Sequence, residues 1–175
     1  MAAAIRLAKK SELNKVVALY DTLNDYLQSS INYPRWKKGQ YPSEITATEG
    51  FEANGLYIME VNGEIAGTII LISDQPKQYE KLSWGKRSEA EKTLVIHALA
   101  VHPKFLKRGV ASQLLDFAQQ LAVSEGMETI RLDVFEENYP AQNLYTKKGY
   151  KCVGTVDLEL NIPDLVMFKC FEKIL

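Results

Sequence analysis

Apolar residues recur along this chain every three or four positions, then every second position, then in unbroken runs, and each rhythm predicts an element. After a short strand candidate, Ile5-Arg6-Leu7, the residues Leu13, Val16, Val17, Tyr20, Leu23 and Leu27 fall on one helical face, with Ser11 as the expected N-cap. Residues 28–50 carry Tyr33, Pro34, Trp36, Tyr41 and Pro42 with no clean period, which predicts an irregular or short-helical segment. Leu56 to Val61 and Glu64 to Ile72 are strand runs around Asn62-Gly63, a dipeptide that favours the positive φ values of a type I′ turn and so signals a hairpin. Residues 73–92 are polar, and a connection of that length is either functional or mobile. Thr93 to Val101 is almost continuously apolar, interrupted by His97, and predicts a central strand covered on both faces.

The second half alternates in the same way. Val110, Leu114, Phe117, Ala118, Leu121 and Ala122 mark an amphipathic helix that stops at Gly126. Thr129 to Phe135 is another strand. A short helix is expected from about Pro140 to Lys148, with Pro near its start and Gly149 beyond its end. Lys151 to Leu160 and Leu165 to Phe171 are the last strand candidates. The pattern is that of a mixed α/β fold, and 175 residues suit one domain, 1–175, with a core of its own.

Composition narrows the function. Apolar residues make up 46% and charged residues 25%, and the formal net charge is −1. Such a near-neutral chain gives no reason to expect nucleic acid or an anionic membrane as partner. No apolar run approaches the length of a membrane span, and the opening Met1 to Leu7 lacks the pattern of a signal peptide. Cys152 and Cys170 cannot build a disulfide framework, and no Cys/His cluster has metal spacing, so no metal is expected. A reducing, cytoplasmic location is the simplest expectation, with both thiols reduced and at least partly buried.

Two segments carry candidate chemistry. In Ala100-Val-His-Pro-Lys-Phe-Leu-Lys-Arg-Gly-Val-Ala-Ser112, a strand runs through a short basic loop into a helix that starts near Gly109. The first N–H groups of a helix lack intrahelical partners and, with the helix dipole, suit a phosphate. Gly109 and Ala111 are small enough for close approach, and Lys107 and Arg108 add positive charge. By itself the segment is equally a plain crossover; it has neither the Walker nor the dinucleotide-binding glycine pattern. In the second segment Asn138 follows a strand and Tyr145 comes two helical turns later, so both can point the same way. An isolated tyrosine there also reads as a core-edge residue.

Together the two segments resemble the GNAT acetyltransferase superfamily. The stretch Val101-His-Pro103-Lys-Phe-Leu106-Lys-Arg-Gly109-Val-Ala111 resembles the family's Val-x-Pro-x-x-(Arg/Gln)-x-x-Gly-x-(Gly/Ala), departing from it at Leu106. Asn138-Tyr-Pro-Ala141-Gln-Asn-Leu144-Tyr145-Thr-Lys-Lys-Gly149-Tyr150 matches Asn-x-x-Ala-x-x-Leu-Tyr-x-x-x-Gly-(Phe/Tyr) at every fixed position. The opening strand and helix and the hairpin ending in Ile65-Ala66-Gly67 look like the family's first elements, so the resemblance covers nearly the whole chain.

The resemblance implies a mixed, mostly antiparallel sheet splayed at the Thr93 to Val101 strand, with helices on both faces. It implies acetyl-CoA as co-substrate and direct transfer of its acetyl group to a primary amine. The pantetheine arm would pair with Leu99, Ala100 and Val101 where a bulge breaks the ladder, and a backbone N–H near Leu99 would face the oxyanion. The pyrophosphate would lie over Leu106, Lys107, Arg108, Gly109, Val110, Ala111 and Ser112. Tyr145 would act as general acid toward the departing thiolate, and Asn138 would position the cofactor or the tyrosine helix. His97, the one titratable group in its strand, is a candidate base or a packed residue. A non-catalytic acyl-CoA-binding module on the same scaffold is the alternative function, which an intact Tyr145 argues against. Tyr33, Trp36 and Tyr41 could cage an amine or simply pack. The acceptor is not legible, and a homodimer is left open.

Overall fold

The computed structural model describes residues 3–175. In chain order the elements are β1 (Ala3–Leu7), α1 (Leu13–Gln28), α2 (Glu44–Glu52), β2 (Leu56–Val61), β3 (Glu64–Ile72), β4 (Thr93–Val101), α3 (Val110–Ser124), β5 (Thr129–Phe135), α4 (Tyr139–Lys147), β6 (Lys151–Asp157) and β7 (Met167–Ile174). Short 3-10 turns occupy Lys10–Glu12, Lys77–Lys81, Ala90–Lys92 and Pro103–Phe105. The seven strands make one mixed sheet in the order β1-β2-β3-β4-β5-β7-β6. The pairs β1–β2, β2–β3, β5–β7 and β6–β7 are antiparallel, and β4–β5 is parallel. The chain divides into two compact units, and β4 passes from one to the other after Ile96.

The first unit comprises the chain up to Asn32, Trp36–Ile72 and His97–Ala118. Its core joins Val16, Leu19, Tyr20 and Leu23 of α1 to Ala47 of α2 and to Leu56, Ile58 and Ile70 of the hairpin. Side chains alternate across a strand, so Ile70 and Gly67 of β3 face opposite ways, and helices cover both faces. Ile70 meets Gly50 of α2, where an added Cβ would lie 2.7 Å from its Cδ1. Gly67 meets α3, where a Cβ would lie 2.8 Å from Val110 Cγ1. The hairpin turn has φ +52 at Asn62 and +79 at Gly63, the pair of positive values that a type I′ turn needs.

The expected N-cap at Ser11 is corrected. Ser11 lies inside a 3-10 turn, and α1 begins behind it at Leu13. The cause is Glu12, whose carboxylate accepts the Lys9 N–H at 2.8 Å and is held by both terminal nitrogens of Arg6. Residues 28–50 are irregular as far as Pro42 and then enter α2. Trp36 and Tyr41 meet edge to face at 5.5 Å and, partly buried, pack against the core. The Asn24 amide, 2% exposed, donates to the Tyr41 and Pro42 carbonyls and ties this segment to α1.

The second unit comprises Tyr33–Arg35, Ser73–Ile96 and Gln119–Leu175. The 73–92 connection is strapped down. Tyr79 is buried with Val95, Phe135, Phe168 and Cys170, and Leu82 and Trp84 pack on the same cluster. The Tyr79 hydroxyl donates to Asp133 at 2.7 Å. Cys170 and Phe171 are neighbours in β7 and face opposite ways, so this strap covers the Cys170 face while Tyr145 of α4 meets Phe171 on the other.

The last two strands are shorter or shifted relative to the apolar runs. β6 stops at Asp157 because Asp157 Oδ1 accepts the Glu159 N–H at 2.7 Å, and Glu159, Asn161 and Asp164 all take left-handed φ. β7 then runs on to Ile174. Cys152 is exposed, a correction to the expectation that both thiols are covered; Cys170 is buried. Burial, with the nearby Asp133 charge, pushes the Cys170 thiol up to about 12, so it stays protonated and unreactive.

Candidate active site

The β4–β5 register runs from Thr93 opposite Thr129 to Ile96 opposite Leu132. From His97 onward β4 belongs to the first unit, and its geometry changes there. Ala98 takes φ +43, a left-handed value that is uncommon for a residue bearing a Cβ. A left-handed residue inside a strand interrupts its ladder as a bulge does. His97 and Leu99 on either side are half-buried, whereas Ala98, Ala100 and Val101 are buried. His97 interacts with a neighbouring group of the chain.

β4 then leads into the phosphate candidate. The His102 N–H bonds the Ala66 carbonyl at 2.9 Å, and its Nδ1 accepts the Lys104 N–H at 3.1 Å, which folds Pro103–Phe105 into a 3-10 turn. Lys107 takes φ +60 and Gly109 φ +78. Left-handed residues just before a helix turn successive N–H groups toward one side, making a concavity for an anion. The first i→i−4 bond of α3 is Gln113 N–H to Gly109 O at 3.0 Å, so the amides before it lack intrahelical acceptors. Lys107, Arg108 and Gly109 are exposed; Leu106, Ala111 and Ser112 are half-buried; Val110 is buried. A Cβ at Gly109 would have its nearest neighbour 3.8 Å away, so the surface above this amide is open. Among the described residues neither Lys107 nor Arg108 belongs to an ion pair, while Lys104 is paired with Glu64 at 2.7 Å. Leu106 offers no polar atom, so any grip on a phosphate here falls to amides and the two cations.

The second unit holds the other two predicted residues on one helix. Asn138 is the N-cap of α4, and its Oδ1 accepts the Ala141 N–H at 3.4 Å. Tyr145 lies two turns on, 8% exposed, with its ring against Tyr150 at 6.1 Å and Phe171 at 5.9 Å. Burial, and then the charge of Asp133, hold its phenol above the ordinary range, so it stays protonated at neutral pH. Among the described residues none hydrogen-bonds its hydroxyl.

Two supporting residues were missed from sequence. The Gln142 amide donates to the Glu136 carbonyl at 2.8 Å, and its Oε1 accepts Lys169 at 3.2 Å, which fixes the turn from β5 into α4. Asp133, within a β-run read only as strand, accepts the Tyr79 hydroxyl on the Cys170 face, and its charge adds to the effect of burial in raising the Tyr145 phenol. Neither belongs to the motif positions, and their partners are distant in sequence. Thus His97, Leu99, Ala100, Val101 and 106–112 share one strand–loop–helix of the first unit, and Asn138 and Tyr145 share one helix of the second.

The sequence profile of the acetyltransferase (GNAT) family matches residues 16–150, and the chain belongs to that family. It is 25% identical over 117 residues to an uncharacterized N-acetyltransferase of Bacillus subtilis, YesJ, a match spanning 67% of this chain and 63% of that protein. An acetyltransferase structure from Staphylococcus aureus superposes with TM-score 0.71 at 26% identity, covering 97% of both chains. A GNAT-family acetyltransferase structure from Streptococcus agalactiae has the same fold, with TM-score 0.78 at 21% identity over 99% of this chain and 95% of that one.

Proposed function

We propose that the chain works as one domain that transfers the acetyl group of acetyl-CoA to a primary amine of a small molecule or peptide. The observation that carries this reading is the left-handed pair Lys107 and Gly109 at the open mouth of α3, shortly after a strand whose Ala98 is itself left-handed. Amides of 106–111, aided by Lys107 and Arg108, hold the pyrophosphate of CoA, and the edge of Leu99 to Val101 pairs with the pantetheine amides. Ser112 lies in the same first turn and completes that surface.

Bound acetyl-CoA supplies an activated thioester. The amine nitrogen attacks the carbonyl carbon, and a β4 N–H near Leu99 stabilises the oxyanion. The carbon–sulfur bond breaks, and Tyr145 gives its proton to the departing thiolate. Asn138 holds the helix that carries Tyr145. His97 accepts the proton that the acceptor ammonium loses, directly or through water; His97→Gln then lowers kcat/KM by roughly 10²-fold. The compartment in this reading is a reducing one, the cytoplasm, and no nucleic acid or membrane takes part.

The test is release of free thiol from acetyl-CoA in the presence of amines, amino acids, polyamines and peptides, alongside calorimetric titration with CoA. Amine-dependent thiol release supports the reading. Tight CoA binding without release for any acceptor would favour a sensing module, and no CoA binding would remove the site.

A further inference from the structure

We propose that a recess at the end of β5 is a subsite for an organic cation, and that Arg35 is its built-in, displaceable occupant. The recess has a volume of about 270 Å³ and is lined by Arg35, Phe135, Glu136, Glu137, Asp164 and Val166, all of the second unit. The Arg35 guanidinium lies in it as a ligand would. Its Cζ stands 5.2 Å above the centroid of the Phe135 ring, and its Nη2 is 2.6 Å from Glu137 Oε2.

An aromatic face beside a carboxylate is the general receptor for alkylammonium and guanidinium groups. Phe135 is a fixed platform, 6% exposed and set edge to face against Phe168. Three carboxylates line the recess against one guanidinium, and among the described residues neither Glu136 nor Asp164 has an ion pair or hydrogen bond through its side chain. The recess therefore keeps a negative surplus with Arg35 in place.

Arg35 is a weakly held occupant. It takes φ +55, a strained value for a residue with a Cβ, and the Arg35 and Glu137 side chains are 42% and 52% exposed. Exposed pairs of this kind hold little energy. The volume is below that of a pocket for a whole ligand, so it fits one charged end of a longer molecule. Its position gives that end a use: the Phe135 carbonyl accepts the Asn138 N–H at 2.9 Å, so the recess lies at the root of the helix that carries Tyr145. The class that fits is an amine with a second positive charge, an aliphatic polyamine or a basic amino-acid side chain. Its role as part of the acceptor site rests on the proposed acetyl transfer; the cation binding does not.

The experiment titrates the full chain with spermidine in the absence of acetyl-CoA, for wild type, Arg35→Ala, Glu137→Gln and Phe135→Leu, with circular dichroism as the check on folding. Arg35→Ala should tighten spermidine binding several-fold by removing the internal competitor. Glu137→Gln and Phe135→Leu should weaken it by roughly tenfold. Glu137 is exposed, so its variant remains informative if Phe135→Leu fails to fold. In thiol-release assays the same changes should appear in KM for spermidine and be absent for butylamine. Equal spermidine affinity in wild type, Arg35→Ala and Glu137→Gln, or no binding by any of them, overturns the subsite. These variant effects on binding, seen without thiol release for any amine, keep the subsite and overturn only the acetyl transfer.

Discussion

Arg131 and Glu172, on neighbouring antiparallel strands, form an ion pair of 3.3 Å with side chains only 6% and 3% exposed. Both also grip the 73–92 segment. Glu172 accepts the Gly85 and Lys86 N–H groups, while Arg131 donates to Gln75 and to the Lys86 carbonyl and lies 4.2 Å from the Trp84 ring centroid. Removing one partner leaves a buried charge unpaired, at a cost of about 3–5 kcal/mol. Arg131→Met and Glu172→Gln should each lower the urea midpoint accordingly, and limited proteolysis should begin within 73–92. A segment cut at the same rate in wild type and variants would show that the pair does not hold it.

Gly109 tests the proposed phosphate cradle. With φ +78 and open space above it, Gly109→Val adds backbone strain and covers the amides. CoA affinity by calorimetry should fall at least tenfold. Gly63→Ala, also at positive φ but in the hairpin turn, is the control for strain alone. Unchanged CoA affinity in Gly109→Val removes residues 106–111 as the pyrophosphate site.

Tyr145→Phe keeps the ring contacts with Tyr150 and Phe171 and removes only the hydroxyl. Folding and CoA affinity should hold, while single-turnover acetyl transfer should slow by roughly 10–10³-fold. A change confined to KM would assign the hydroxyl to binding.

Acid stability should depend on Glu12. Hydrogen bonds from Arg6 hold its carboxyl at about 2, below the ordinary 4.5. A carboxyl whose folded pKa is depressed stabilises the fold above its unfolded pKa, and that contribution is lost as pH falls toward the folded value. The loss therefore falls between about pH 4.5 and 2. Glu12→Gln should lower the urea midpoint at neutral pH and flatten its decline across that window. Parallel midpoint curves for the two proteins would contradict this.

Local patterns along the chain determined most of the strands, the amphipathic runs of α1 and α3, the short helix α4 and both motifs, because each depends on neighbours a few residues apart. Asn62-Gly63 set its turn through φ preference alone, and Asn138 capped α4 through a bond to a residue three positions on. The position of Gly109 at the mouth of α3 was legible for the same reason. Tertiary structure decided what depends on distant partners. The 73–92 segment reads as a polar loop; Asp133, Arg131 and Glu172, supplied by two strands far along the chain, help to pin it through Tyr79, Gly85 and Lys86. Arg35 likewise reads as one more basic residue in an irregular stretch. Its seat over Phe135 and against Glu137 exists because folding brings together groups a hundred residues apart, a separation at which no periodicity or capping preference carries information.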